Sequence, residues 1–389
     1  MKLGKLPSPL GRGCPAAGAF TSRSGTGEGS VEEGYEAILN RTLLFLRSFG
    51  RSNGPVREDA PVKETGSKMK LVTFRSGNEN RVGAVQGDFV VDIAFLIESL
   101  RSGSLGVGPQ PGLKEAVKMV FAGRPGPFHM IDLLERGEAW RRALQKTLEA
   151  VTESQHALTL PEGVFTPIEK VRLRAPLPRP GKIVCVGLNY ESHRAEQGLK
   201  SPPRPVFFLK SSNTICGPGD SIVLPPNSTE VDYEAEFAAV IGKPGKGIPE
   251  EKVFEHLAGF TILNDVSARD MQQGDRQWFR GKSCDTFGPT GPCIVTADEI
   301  PDPHSLRISL TLNGRTMQES NTHDLIFKIP FLVSYLSQSL TWEVGDLLST
   351  GTPGGVGHHR KPPVYLEPGD TVSVTVERIG TLTNPVVGP

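Results

Sequence analysis

Val231-Asp232-Tyr233-Glu234-Ala235-Glu236-Phe237-Ala238-Ala239-Val240-Ile241 carries an acid at every second position and then becomes wholly apolar. Successive side chains of a strand point to opposite faces, so this spacing predicts a strand with Asp232, Glu234 and Glu236 on one side and Tyr233, Ala235 and Phe237 on the other. The apolar run that follows places the strand in the middle of a sheet. Two or three carboxylates aimed at one spot repel unless a cation sits among them, and oxygen donors with no nearby Cys or His pair suit Mg²⁺, Mn²⁺ or Ca²⁺ better than Zn²⁺. A solvated acidic strand face would show the same pattern.

Short apolar runs surround this stretch. Ile183–Leu188, Val206–Leu209, Phe260–Asn264, Cys293–Val295 and Leu306–Leu312 read as strands, the last turning at Asn313-Gly314. Helical spacing is brief, at Tyr190–Gln197, Glu250–Leu257 and Leu325–Ser337, where Pro330 implies a kink or break. Upstream, Lys70–Phe74, Arg81–Val85 and Phe89–Ile93 are strand-like with a hairpin turn at Gly87-Asp88, and Leu113–Phe121 and Met130–Leu148 have helical periodicity. Pro176, Pro178 and Pro180 mark a stiff linker. The fold class expected is α+β and β-rich, with an extension at 1–68, a small N-terminal α/β domain at 69–165, a linker at 166–180 and a catalytic domain at 181–389.

The extension has no acid before Glu28 but has Lys2, Lys5, Arg12 and Arg23, and a second acid-free stretch from Ala37 to Arg57 could form a basic amphipathic helix. That is the chemistry of a mitochondrial targeting segment, interrupted by Glu32, Glu33 and Glu36; a disordered tail in a cytoplasmic protein is the alternative. Balanced charge, 43 basic against 43 acidic residues, argues against nucleic acid as a partner, and no apolar run is long enough for a membrane span. Cys14, Cys185, Cys216, Cys284 and Cys293 form no Cys-x-x-Cys pair, which favours a reducing compartment.

Four further groups carry chemistry. His193 and Glu196, three residues apart, would be neighbours on a helix, either a proton-transfer dyad or a surface ion pair. Asp265 closes an apolar strand, where it would complete a site or cap the next turn. Lys282 sits in Gly-Lys-Ser, but Arg276 stands where a phosphate loop needs glycine, so that motif is rejected; a buried lysine could instead stabilise an enolate oxygen. Gly351-Thr352-Pro353-Gly354-Gly355-Val356-Gly357 leaves an apolar strand as a tight loop whose amides and hydroxyl could hold an anion.

Taken in order, Val-Gly-Leu-Asn-Tyr with His193 and Glu196, Asp-Tyr-Glu-Ala-Glu, Asn-Asp-Val-Ser-Ala-Arg-Asp, Gly-Lys-Ser-Cys-Asp-Thr-Phe and Gly-Thr-Pro-Gly-Gly-Val-Gly resemble the fumarylacetoacetate hydrolase superfamily. The resemblance covers Lys182 to about Val387, more loosely Met69 to Pro180, and leaves 1–68 untouched. Ser320-Asn321-Thr322, Arg360-Lys361-Pro362-Pro363-Val364 and Gln277-Trp278 resemble its eukaryotic domain-containing-two group, often mitochondrial. The likeness implies a mixed β-sandwich roll, a homodimer, and Glu234, Glu236 and Asp265 as ligands of Mg²⁺ or a similar ion. It also implies a His193–Glu196 lid and substrate contacts from Tyr190, Gln272, Lys282, Gly351 and Thr352. The expected substrate is a small 2-oxo (di)carboxylate and the expected reaction oxaloacetate keto-enol tautomerisation. Acylpyruvate-type hydrolysis, oxaloacetate decarboxylation and a non-catalytic scaffold are the alternatives. The family's namesake hydrolase uses a further aspartate on its metal, with no equivalent placed here.

Overall fold

Alternation over residues 231–241 persists in the computed structural model, which describes residues 69–102, 113–121, 129–153 and 163–389. Val231–Asp232 and Ala235–Ile241 are separate strands, with Tyr233 and Glu234 between them. Tyr233, Ala235, Phe237, Ala239 and Ile241 face one core with Phe260 and Ile262. Ala238 and Val240 continue the Glu234 and Glu236 face into a second core, shared with Leu71, Leu144 and Ile183. The face that begins with carboxylates therefore ends as packing surface.

Ala235–Ile241 is central, pairing antiparallel with Leu257–Asn264 on one side and Leu347–Ser349 on the other. The latter pairs in parallel with Ile183–Gly187, which makes the sheet mixed. Val206–Lys210 forms one edge of this path. At the opposite end the sheet continues through Gly288–Thr296 into the N-terminal hairpin, since Lys70–Ser76 pairs with it at Lys70 and Val295. Residues 166–180, expected as a linker, contribute Arg172–Arg174, which pairs with Thr73–Arg75. A second sheet, ordered Arg315–Asn321, Arg307–Leu312, Thr371–Val376, Gly380–Val387 and Ile222–Val223, packs Ile308, Leu310, Val372, Val374 and Leu382 into the first core. Two sheets face to face make the β-rich sandwich expected from the sequence.

Several element boundaries differ from the sequence reading. The strand read as Phe89–Ile93 ends at Asp92, whose carboxylate accepts the Phe95 amide and so starts an unforeseen helix, Ile93–Arg101. Periodicity over Met130–Leu148 splits into Met130–Glu135 and Gly137–Glu153, because Gly137 adopts a φ of 80°. Residues 250–256 wind as a 3-10 helix. Pro330 kinks nothing: the last helix begins at Ile329, so the proline falls in its first turn, where no amide is needed. Among the described residues no helix is long and apolar enough to cross a membrane. Residues 1–68, including the basic stretch at 37–57, lie outside the described residues.

Candidate active site

The carboxylates meet where three strand ends converge. Glu234 precedes and Glu236 opens the central strand, while Asp265 follows Leu257–Asn264, held in place by its amide donating to the Glu234 carbonyl at 2.9 Å. One ligand oxygen from each of Glu234, Glu236 and Asp265 lies within 4.8 Å of the others, and all three residues are buried. Two oxygens on opposite sides of one hard divalent ion stand about 4.0–4.2 Å apart for Mg²⁺ and about 4.6–5.2 Å apart for Ca²⁺ at the usual bond lengths. The spacing and the all-oxygen donor set therefore fit such an ion.

Cations already attend two of the three acids. Lys282 Nζ donates to Glu234 Oε2 at 2.8 Å and to Asp265 Oδ2 at 2.7 Å. Arg269 Nη2 donates to Glu234 Oε1 at 2.6 Å and to Asp232 Oδ2 at 2.8 Å. Burial opposes ionisation of Glu234, but Lys282 and Arg269 prevail and hold its carboxyl well below the usual range. Glu236 is treated differently: its described partners are only the Ser349 hydroxyl and the Gly351 amide. Burial first, then the charges of Asp265 and Glu234, push its carboxyl well above the usual range. The charge of Lys282 opposes this without prevailing, so negative charge at Glu236 is under-compensated, which is the condition a bound cation relieves.

The remaining acid of the Asp-Tyr-Glu-Ala-Glu motif, Asp232, is not part of this cluster. Arg269 clamps it through Nε and Nη2, and the amides of Gly357 and His358 donate to it at 2.8 and 3.0 Å. Strand alternation correctly put Asp232 beside Glu234, but the break at Tyr233 lets it serve as an anchor for Arg269.

His193 and Glu196 lie on the helix Glu191–Glu196, and Nδ1 meets Glu196 Oε1 at 2.6 Å. With Nδ1–H donated to the carboxylate, Nε2 carries the lone pair and accepts from Gln197 Nε2 at 3.0 Å. A cavity of about 280 Å³ is lined by His193, Glu234, Glu236, Gln272, Lys282 and Thr352, with Leu188, Leu199, Phe208 and Trp278 as apolar walls. His193, Glu234, Glu236 and Lys282, far apart in sequence, therefore share one space, with Glu196 and Asp265 joined to it through His193 and Lys282.

Two of the residues expected to touch substrate stand elsewhere. Tyr190 is fully buried outside the cavity lining, its hydroxyl unpartnered. Gly351 has a φ of 98° and spends its amide on Glu236. The glycine loop as a whole corrects the expectation that its amides face an external anion. Gly354 N donates to Ser192 Oγ, Gly355 N to Glu196 Oε2 at 2.7 Å and Gly357 N to Asp232. Three of the anions it cradles are thus the protein's own carboxylates, Glu236, Glu196 and Asp232. The loop closes tightly enough that a Cβ on Gly357 would lie 2.6 Å from Asp232 Oδ1.

Other residues of the site left little trace in the sequence. Lys210 is buried at the end of an edge strand, donating to Asp265 Oδ1 at 2.7 Å and to the carbonyls of Val266 and Lys282. Its only sequence signal is a lone lysine closing an apolar run. Gln318 accepts the Ala235 amide and donates to Thr352 Oγ1 and the Pro353 carbonyl, tying the central strand to the glycine loop. His358 and His359 join the cavity wall directly after the loop.

Comparison with known proteins agrees with this geometry. The family profile described as fumarylacetoacetate (FAA) hydrolase C-terminal matches residues 182–387. Oxaloacetate tautomerase Fahd2a, mitochondrial, of Rattus norvegicus is 47% identical over 266 residues, 67% of this chain and 80% of the relative. The solved fumarylacetoacetate hydrolase from psychrophilic Exiguobacterium antarcticum superposes with a TM-score of 0.64 at 31% identity, covering 82% of this chain and 100% of that one. The 2-hydroxyhepta-2,4-diene-1,7-dioate isomerase of Mycobacterium marinum gives 0.58 at 33% identity, over 82% and 98% of the two chains.

Proposed function

Because the chain belongs to the fumarylacetoacetate hydrolase family, we propose that it is a Mg²⁺-dependent enzyme acting on the enol or enolate of a small 2-oxo acid, with oxaloacetate keto-enol tautomerisation as its reaction. The observation that carries this reading is His193, its Nδ1 2.6 Å from Glu196, on the wall of the cavity that Glu234, Glu236 and Lys282 also line. Glu234, Glu236 and Asp265 would hold the ion, with Mn²⁺ or Ca²⁺ as substitutes. When bound, such an ion supplies Lewis acidity toward the 2-oxo and carboxylate oxygens of the substrate.

The protein's own groups do the rest. In the keto-to-enol direction His193 Nε2, released from Gln197 by the substrate, takes a proton from C3, and Glu196 stabilises the imidazolium that forms. The 2-oxo oxygen gains the negative charge and then takes a proton from water, to which His193 gives up its own. Lys282 has one N–H left after Glu234 and Asp265 to face that oxygen, and the Gln272 amide lines the same space. In the reverse direction His193 delivers the proton to C3. Leu188, Leu199, Phe208 and Trp278 limit water around the enolate.

The same enolate could lose CO₂, and a His193-activated water could cleave an acylpyruvate, so the test must separate these fates. Purified protein with Mg²⁺ is expected to accelerate the decay of enol-oxaloacetate absorbance without releasing pyruvate. Pyruvate appearing at the same rate would replace tautomerisation by decarboxylation, and turnover of acylpyruvates alone would replace it by hydrolysis. The relative's printed name and the acid-poor residues before Glu28 support a mitochondrial location, and family likeness supports a homodimer.

A further inference from the structure

The cavity's cations and histidines differ in how far they are already committed. Arg269 is engaged by Asp232, Glu234 and Gln272, and Lys282 by Glu234 and Asp265. His193 is held by Glu196 and Gln197, and His358 by Tyr365 and Gln273 at 2.9 Å each. Among the described cavity-lining cations and histidines, His359 is the one whose ring makes no hydrogen bond. Its ring neighbours are His193 at 6.0 Å and His358 at 5.1 Å between centroids, and the charges of Glu196 and Arg269 also reach it. A partly buried imidazole always has one N–H to donate, whatever its tautomer, and this one lines the cavity.

Substrate chemistry says what should meet it. In a 2-oxo dicarboxylate of four carbons, the carbon that His193 deprotonates is bonded directly to the distal carboxylate, about 1.5 Å away. With the 2-oxo acid end at the acidic cluster, the distal carboxylate must emerge beside His193 on the side away from that cluster. The glycine loop has committed the amides of Gly351, Gly354, Gly355 and Gly357 to the protein's own side chains. Besides the Thr352 hydroxyl, the donor left facing this space is a side chain, and His359 stands next to His193.

We propose that His359 is a specificity-determining residue that binds the distal carboxylate and selects 2-oxo dicarboxylates over 2-oxo monocarboxylates. This rests on the reading of the site as one for 2-oxo acids. The probe pair is freshly dissolved oxaloacetate and 2-oxobutanoate, which carries a methyl in place of the distal carboxylate. Each is titrated in Mg²⁺ buffer against tryptophan fluorescence, since Trp278 lines the cavity.

Wild-type protein should bind oxaloacetate at least about 10-fold more tightly, the factor expected for one charge-assisted hydrogen bond. His359→Phe should bring the ratio near one by weakening oxaloacetate alone, and His359→Gln, which keeps an N–H donor, should retain most of it. His359→Ala is scored in the same way should the phenylalanine variant not fold. Equal affinities in wild type, an unchanged ratio in the variants, or both ligands weakening together would each overturn the assignment. Enol decay measured on the same wild-type sample judges the tautomerase reading separately: discrimination without turnover keeps His359 and discards the tautomerase.

Discussion

Glu234 shows what a single residue carries here, because it touches Lys282, Arg269 and the proposed ion at once. Glu234→Ala is expected to abolish Mg²⁺ binding and turnover while the circular dichroism of the fold persists; unchanged turnover would refute its role as a ligand. Lys210 makes the complementary case. It touches no cavity surface, yet its ammonium holds Asp265 from behind. Lys210→Met removes one of two cations from a fully buried carboxylate, a change that typically destabilises by about 3–5 kcal/mol; a urea midpoint equal to wild type would show that Asp265 does not depend on it. The two residues also mark the limits of sequence reading. Glu234 and Glu236 were legible because strand alternation fixes their common side, and His193 with Glu196 because helical spacing does. Lys210 and Gln318 were not, since where a strand-end lysine or a distant glutamine points depends on which strands become neighbours.

At the scale of elements, strands were read more accurately than helices. The run Ile183–Leu188 survived to within a residue, as Ile183–Gly187, and Phe260–Asn264 kept its end while beginning earlier, at Leu257. Helix starts depend on caps instead: Asp92 converted an expected strand end into a helix, and the helix at Ile329 is held by His304, whose Nε2 accepts the Ile329 amide at 3.2 Å. Burial first, and then the charge of Lys328, hold the His304 imidazole below its ordinary pKa. A folded pKa lowered in this way gives stability that is present above the unfolded value and lost as pH falls through the folded one. Urea unfolding compared above about pH 7 and below about pH 6 should show wild type losing more stability than His304→Gln, which cannot titrate. Equal losses would mean that the capping contact contributes nothing to the acid response.

For the whole molecule, the distinction is between an enzyme and a scaffold of the same fold. No described cation hydrogen-bonds Glu236, so filling the acidic cluster should stabilise the native state by mass action, about 2.7 kcal/mol at a hundredfold excess over Kd. A rise in Tm with Mg²⁺ that Glu234→Ala abolishes is the expected outcome, and a Tm indifferent to the ion would favour the scaffold. The mixed sheet holds Glu236 on its central strand and Glu234 and Asp265 at strand ends, whereas the dyad sits on a helix of six residues. Gly351–Gly357 bridges the two, with amides fastened to Glu236, Glu196 and Asp232. One short bend is therefore a common latch: if it swings outward, the carboxylates behind the proton carrier, the cation cradle and the arginine each shed a backbone amide in the same movement.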